Sequence, residues 1–262
     1  MILKRRVALN DVQLDSLDDR IIITGIDEAA GKDNITAVSG VSRNGQRVTA
    51  RRRDSLDVTV KFALNIKNTG NRMRTREQLL EQINAWAANG GILTLDKRNG
   101  RRLKVLLAQA PGPGDMFNWT NEYTMVFRAY GCPYWQDDKA TSATGAKEKS
   151  GDFYIVVPGN TETVAAVTVA NKSGATINNV AIKIAGKEIK FAGLKMTGSQ
   201  KLVIDHVNEA GLFYFRAMIG NKSVLANRTG EDDFYVMPGK TKIIFSADRA
   251  VQVTVSVRGR YL

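Results

Sequence analysis

The chain has 262 residues, 43% hydrophobic and 24% charged, a globular composition that excludes disorder as the default and leaves room for one or two domains. A single cysteine, Cys132, and a single histidine, His206, exclude an internal disulfide and a Cys/His zinc cage, and no apolar run reaches the roughly 18 residues of a membrane helix. The formal charge of +12 raises nucleic acid as a partner, but it is spread over the chain: residues 1–135 carry 21 Lys/Arg against 14 Asp/Glu, and residues 136–262 carry 17 against 12.

Residues 21–23 are a short apolar run ending before Gly25, and residues 57–66 alternate, with Val58, Val60, Phe62, Leu64 and Ile66 on one face of a strand. The spacing of Leu79, Leu80, Ile83, Trp86 and Ala87 predicts a helix over 75–88. Thr75 and Gln78 form its expected capping box, and Asn89-Gly90-Gly91 its stop. Leu79, Leu80, Ile83 and Trp86 are the face expected to pack on a sheet. Strands at 92–96 and 102–110 flank an Asn99-Gly100 hairpin turn. Past the Pro-Gly loop at 111–114, a strand at 119–129 carries Tyr123, Met125 and Phe127 on one face. Residues 136–151 are small and charged, read as a linker or exposed loop with the domain junction at its start.

The second part reads as all β. Strands are expected at 163–170, 177–185 and 189–191, the last two joined through Gly186-Lys187, then at 201–205, 212–216, 242–246 and 252–258. In the final strand Val251, Val253, Val255 and Val257 point inward, and Gln252, Thr254 and Ser256 outward. Short strands at regular spacing, with no helical pattern among them, predict a β-sandwich.

No constellation carries chemistry. Pro238-Gly239-Lys240-Thr241 has Phe234 where a phosphate loop needs its first glycine, and it reads as a turn. The prolines of Pro111-Gly112-Pro113-Gly114 remove the amide donors of an anion nest. Glu77 with Glu81, and Glu231-Asp232-Asp233, are acidic groups with no second catalytic partner nearby and read as solvated. Cys132 and His206 fall in different domains, which leaves a buried thiol and an ordinary histidine. No catalytic residue, metal ligand or cofactor is therefore expected.

The basic residues differ in kind. Fifteen of the 21 in the first part are Arg, whereas twelve of the 17 in the second are Lys. The planar guanidinium favours paired, interfacial contacts, and the lysine ammonium is the commoner solvated charge. The densest runs, Arg51-Arg52-Arg53 and Arg72, Arg74 and Arg76, lead into a strand and a helix without the interleaved aromatics of a single-strand groove. They are assigned to contacts between subunits.

The order of these features resembles the distal tail protein family of siphophages. The features are the arginine-led stretch 51–66, the helix ending in Ile83-Asn84-Ala85-Trp86, and the closing strand running into Cys132-Pro133-Tyr134-Trp135. In the second part they are Val167–Asn171, Ile182–Ile184, residues 201–205, Pro238-Gly239 and the valine-rich last strand. The resemblance implies a mainly β chain. Residues 1–136 would be a split-barrel-like, ring-forming domain with one helix, and residues 137–262 a galectin-like β-sandwich. It further implies a homohexameric ring in the virion, assembled in the host cytoplasm without membrane insertion. One domain would stack on the tail tube protein and the other would carry tail-tip or receptor-binding proteins, with DNA passing through without specific contact. The alternatives are a carbohydrate-binding adhesion module, disfavoured because the second part has no Trp, and a non-specific nucleic-acid-binding protein.

Overall fold

A computed structural model of the chain describes residues 6–29, 33–39, 46–67, 70–111, 122–209, 212–231 and 233–262. Among these the fold is mainly β with one α-helix, and the chain divides after Trp135 into two compact units, with Glu209 and Leu212 grouped with the first. No helix of the described residues is long and apolar enough to cross a membrane. The start of the strand expected at 119–129, most of the Pro-Gly loop and Asp232 lie outside the described residues.

The first unit contains β1 (Val7–Leu9), β2 (Val12–Gln13), β3 (Ile21–Glu28), β4 (Asp33–Ser39), β5 (Gln46–Arg53) and β6 (Leu56–Leu64). The helix α1 (Arg72–Ala87), β7 (Gly91–Leu95), β8 (Arg101–Gln109) and β9 (Glu122–Ala129) follow. The strands lie in the order β2-β1-β7-β8-β9-β6-β3, and β4 and β5 form a separate two-stranded sheet. Alternation builds the core: Leu56, Val58, Val60, Phe62 and Leu64 of β6 are buried with Tyr123, Met125 and Phe127 of β9. Phe62 and Tyr123, direct cross-strand partners, stack with centroids 5.5 Å apart.

The helix starts earlier than its capping box predicted. It begins at Arg72, and the cap is Asn71, whose side-chain oxygen accepts the Arg74 amide at 3.1 Å. Thr75 lies inside the first turn and donates its hydroxyl to the Asn71 carbonyl at 2.8 Å. An asparagine side chain satisfies the first orphan amides as well as threonine does, so the more N-terminal cap nucleates the helix. Leu79, Ile83 and Ala87 are buried, whereas Leu80 and Trp86 are half-buried. The Trp86 indole lies edge-on to Phe127 at 5.9 Å and donates to the Val12 carbonyl at 3.1 Å.

The second unit contains β11 (Thr141–Thr144), β12 (Glu148–Val157), β13 (Thr163–Asn171), β14 (Val180–Ile184) and β15 (Lys187–Phe191), after a short β10 (Trp135–Asp137). They are followed by β16 (Lys201–Glu209), β17 (Leu212–Ile219), β18 (Lys222–Ser223), β19 (Arg228–Gly230), β20 (Tyr235–Val236), β21 (Gly239–Val257) and β22 (Arg260–Tyr261). The main path runs β18-β17-β16-β13-β21-β14-β15-β19 and curls around a core that includes Val167, Ile182, Phe191, Ile204, Phe245 and Val253.

Three expectations are corrected here. The strands expected at 242–246 and 252–258 are one 19-residue strand, β21, whose first half pairs with β12 and β14 and whose second half pairs with β11 and β13. Between the two expected strands the Asp248 carboxylate accepts the Asn178 amide at 3.0 Å, and the extended chain continues through Asp248-Arg249. Residues 136–151 are not a linker: β11 and the start of β12 pair with β21, and Ser142–Ser256 and Thr144–Thr254 hydroxyl bonds of 2.7 and 3.0 Å tie them down. The β14–β15 turn is Ala185-Gly186, one residue earlier than expected. Both residues have positive φ, 51° and 86°, as a two-residue hairpin turn matched to strand twist requires.

Candidate functional site

The two arginine runs lie on different elements of the first unit. Arg51, Arg52 and Arg53 do not precede a strand but lie within β5, with backbones opposite Ile35, Asn34 and Asp33 of β4. The half-buried Arg53 guanidinium lies over the Tyr134 ring at 5.4 Å. Arg72, Arg74 and Arg76 occupy the first turns of α1. Arg72 and Arg74 are exposed and Arg76 is half-buried, and Arg72 donates to the Lys67 carbonyl at 2.8 Å. A β hairpin and a helix start thus each carry a run of arginines.

The cluster that sequence inspection did not find is centred on Glu28. Its carboxylate accepts the Trp135 indole proton at 2.8 Å, Arg98 at 2.9 Å and Lys97 at 3.0 Å, and Arg98 also lies 5.7 Å from the Trp135 ring. Burial works against the charge on Glu28, but Arg98 and Lys97 outweigh it and hold the carboxyl below the ordinary glutamate value. The partners are 70 and 107 residues away in the chain, and no local pattern connects them. Asp57 and Arg128 form a bidentate pair, 2.6 Å at both contacts, on neighbouring strands.

In the second unit His206 sits in an aromatic cage, stacked on Phe213 at 5.0 Å and edge-on to Phe215 at 5.6 Å. Its Nδ1 is buried without a hydrogen-bond partner. Burial, and next the neighbouring Arg260, push its pKa down to about 4 against the opposing pull of Asp205. A neutral imidazole between rings is a packing group. Cys132 is buried in the first unit. Among the described residues no group of three or more His, Cys, Asp or Glu is placed to hold a metal ion. The open groove of about 480 Å³ along α1 is lined by Arg20 and by Gln78, Leu79, Glu81, Gln82 and other residues of the helix. Glu77 and Glu81 are both exposed. What the geometry offers is surface and framework: paired charges that stiffen a sheet, and exposed cations that can meet another chain.

No family model and no curated protein matches the sequence. Solved structures do match. SPP1 Dit, a hub protein of the adsorption apparatus of phages that infect Gram-positive bacteria, superposes with a TM-score of 0.69 over 98% of this chain and 99% of that chain. This chain has the SPP1 Dit fold. The identity is 10%, so the likeness is carried by the order and pairing of strands rather than by shared side chains. Phage P2 baseplate structures in the activated conformation, with Ca and with Sr, match at 8% identity with TM-scores of 0.47, covering 98% and 97% of both chains, a likeness too distant to carry an argument.

Proposed function

We propose that the chain is a non-enzymatic structural component of the tail tip of a long-tailed phage, a homohexameric ring hub joining the tail tube protein to tip or receptor-binding proteins. The observation that carries this reading is the end-to-end likeness to SPP1 Dit, which spans both units rather than one. In this reading the Arg-rich, split-barrel-like first unit builds the ring, and the galectin-like sandwich is the outward platform. DNA passes through the opening without specific contact. The separate β4–β5 sheet supports the ring assignment. A two-stranded hairpin is at best marginally stable by itself in water, and this one carries Arg51–Arg53, so a neighbouring copy is a natural support for it.

Native mass spectrometry and negative-stain imaging of the purified full chain test the reading. Six-fold rings that persist from low to high salt are expected, because the centre of a large interface is mostly apolar. A chain that stays monomeric at every salt and protein concentration, and that is also missing from purified tail particles, overturns it.

A further inference from the structure

The second unit has two outer sheet faces of opposite chemistry. On the first, β11, the second half of β21 and β13 present small side chains: Ser142 bonds Ser256, Thr144 bonds Thr254, and Ala166 and Thr168 lie opposite Ser256 and Thr254. On the second, β12, the first half of β21, β14 and β15 present a lattice of lysines and exposed apolar groups. Val156 stands opposite Lys240, Tyr154 opposite Lys242, and Asp152 opposite Ile244, which faces Lys183 and then Glu188. Directly opposed residues share a face, so the register places these side chains together.

Three features set this face apart. Val156, Tyr154 and Ile244 are 65%, 50% and 41% exposed, a contiguous apolar track on the solvent side of a sheet where alternation normally places polar groups. The track is held in place, since the Lys240 ammonium sits 4.5 Å from the centre of the Tyr154 ring. The charge of the four strands leans one way. Lys242 pairs with Asp152 and Lys190 with Glu188, each at 3.0 Å, and Lys183 and Lys240 are the additional cations, while the exposed Glu231 borders the β15 edge with its amide bonded to the Glu188 carbonyl.

We propose that this face docks an acidic protein segment whose apolar side chains lie on Val156, Tyr154 and Ile244 while its carboxylates reach Lys183 and Lys240. The partner is a second tail-tip protein, so the inference rests on the function proposed above and names the surface that would serve it. An apolar centre with a charged rim is the usual anatomy of such interfaces, and the excess of one sign steers the encounter and selects the partner. The same face of a second copy is the poorer occupant, because its lysines outnumber its carboxylates.

The test uses the full chain assembled into tail particles, with a benzophenone side chain at Val156, or at Ile244 as a second position, and at Thr144 on the opposite face as a control. Irradiation is expected to link Val156 to one segment of another tail protein that is rich in Asp and Glu. Lys183→Glu with Lys240→Glu should lower the yield roughly tenfold without changing ring formation, and Lys183→Arg with Lys240→Arg should retain it. Cross-links from Val156 and Ile244 only to another copy of this chain, to nucleic acid or to a neutral or basic segment overturn the proposal. So do the absence of any product in particles that contain the chain, and an unchanged yield after charge reversal. If the chain is missing from the particles, the tail-tip reading itself fails, which is a separate outcome.

Discussion

The Trp135 indole donates to the Glu28 carboxylate at 2.8 Å while Arg98, bonded to the same oxygen at 2.9 Å, lies along the Trp135 ring. The three residues tie β3, the connection after β7 and the end of the first unit to one side chain that is only 13% exposed. Glu28→Gln keeps an acceptor for Trp135 but removes the charge that Arg98 and Lys97 face. It is expected to destabilise the unit by about 1.5–3 kcal/mol, the range for hydrogen bonds to a charged group. Because the folded pKa of Glu28 is depressed, its contribution is present above the unfolded carboxylate value and lost as pH falls through the folded one. Urea melts read by tryptophan fluorescence, compared at neutral and acid pH, should show the variant's deficit shrinking at low pH. An equal deficit at both would contradict the assignment.

His206 should make the second unit acid-sensitive in a different window. Its folded pKa, about 4, lies below the ordinary histidine value of roughly 6.5, so the unfolded chain binds the proton first as the solution is acidified. Stability is expected to fall as pH drops from about 6.5 to about 4 and then to level off for this group, a total on the order of 2–3 kcal/mol. His206→Phe, which keeps the ring stack on Phe213, should flatten that part of the profile. Thermal melts across the window decide it, and a variant as acid-sensitive as the wild type would show that His206 is not the source.

Much of this fold was legible in the residues themselves, and the exceptions have a common cause. Strand β6 announces itself because one face meets the core and the other meets solvent, so Val58, Val60 and Phe62 alternate with polar neighbours. Strand β11 and the start of β12 lie almost wholly in solvent, and with no buried face there is no period to read. The start of α1 hid for a similar reason, since Arg72, Met73 and Arg74 are all exposed and carry no helical stripe. For the candidate surfaces, the arginine runs are visible as composition. The pairing of Tyr154 with Lys242, and the convergence of Arg98 and Trp135 on Glu28, exist only once distant strands are in register. The hexameric ring and its partners were suggested by resemblance alone, as no local spacing encodes them.

The half-burial of Trp86 sets the expected cost of removing it. A fully buried tryptophan cut to alanine costs about 3–5 kcal/mol. Trp86 is half-buried, with an edge contact to Phe127 and one bond to the Val12 carbonyl, and about 2–3 kcal/mol is expected. Ile83→Ala, at a fully buried position on the same helix, should cost as much or more despite the smaller side chain, within the range of about 2–5 kcal/mol. Denaturant midpoints of the two variants give the order. A much larger loss for Trp86 than for Ile83 would mean that the indole bears more of the sheet contact than its exposure indicates.

Asn10 clamps the chain just past the end of the helix. Its amide nitrogen donates to the Gly90 carbonyl at 3.1 Å and its oxygen accepts the Ile92 amide at 2.9 Å, while Asn10 itself sits at φ +50° in the β1–β2 turn. A Cβ on Gly91, at φ +140°, would fall 2.1 Å from that same amide oxygen. Asparagine is one of the few side chains that tolerate the left-handed region, so the residue serves the turn and the clamp at once. Asn10→Gly keeps the turn and loses the clamp, and should cost about 1–3 kcal/mol for two groups left without partners. Asn10→Ala adds the strain of positive φ and should cost more, whereas Gly91→Ala should be the worst of the three because the clash and the backbone conformation act together. Equilibrium unfolding of the series would reveal a single ranking, and a Gly91→Ala variant as stable as the wild type would show that the Asn10 amide can leave the loop without loss.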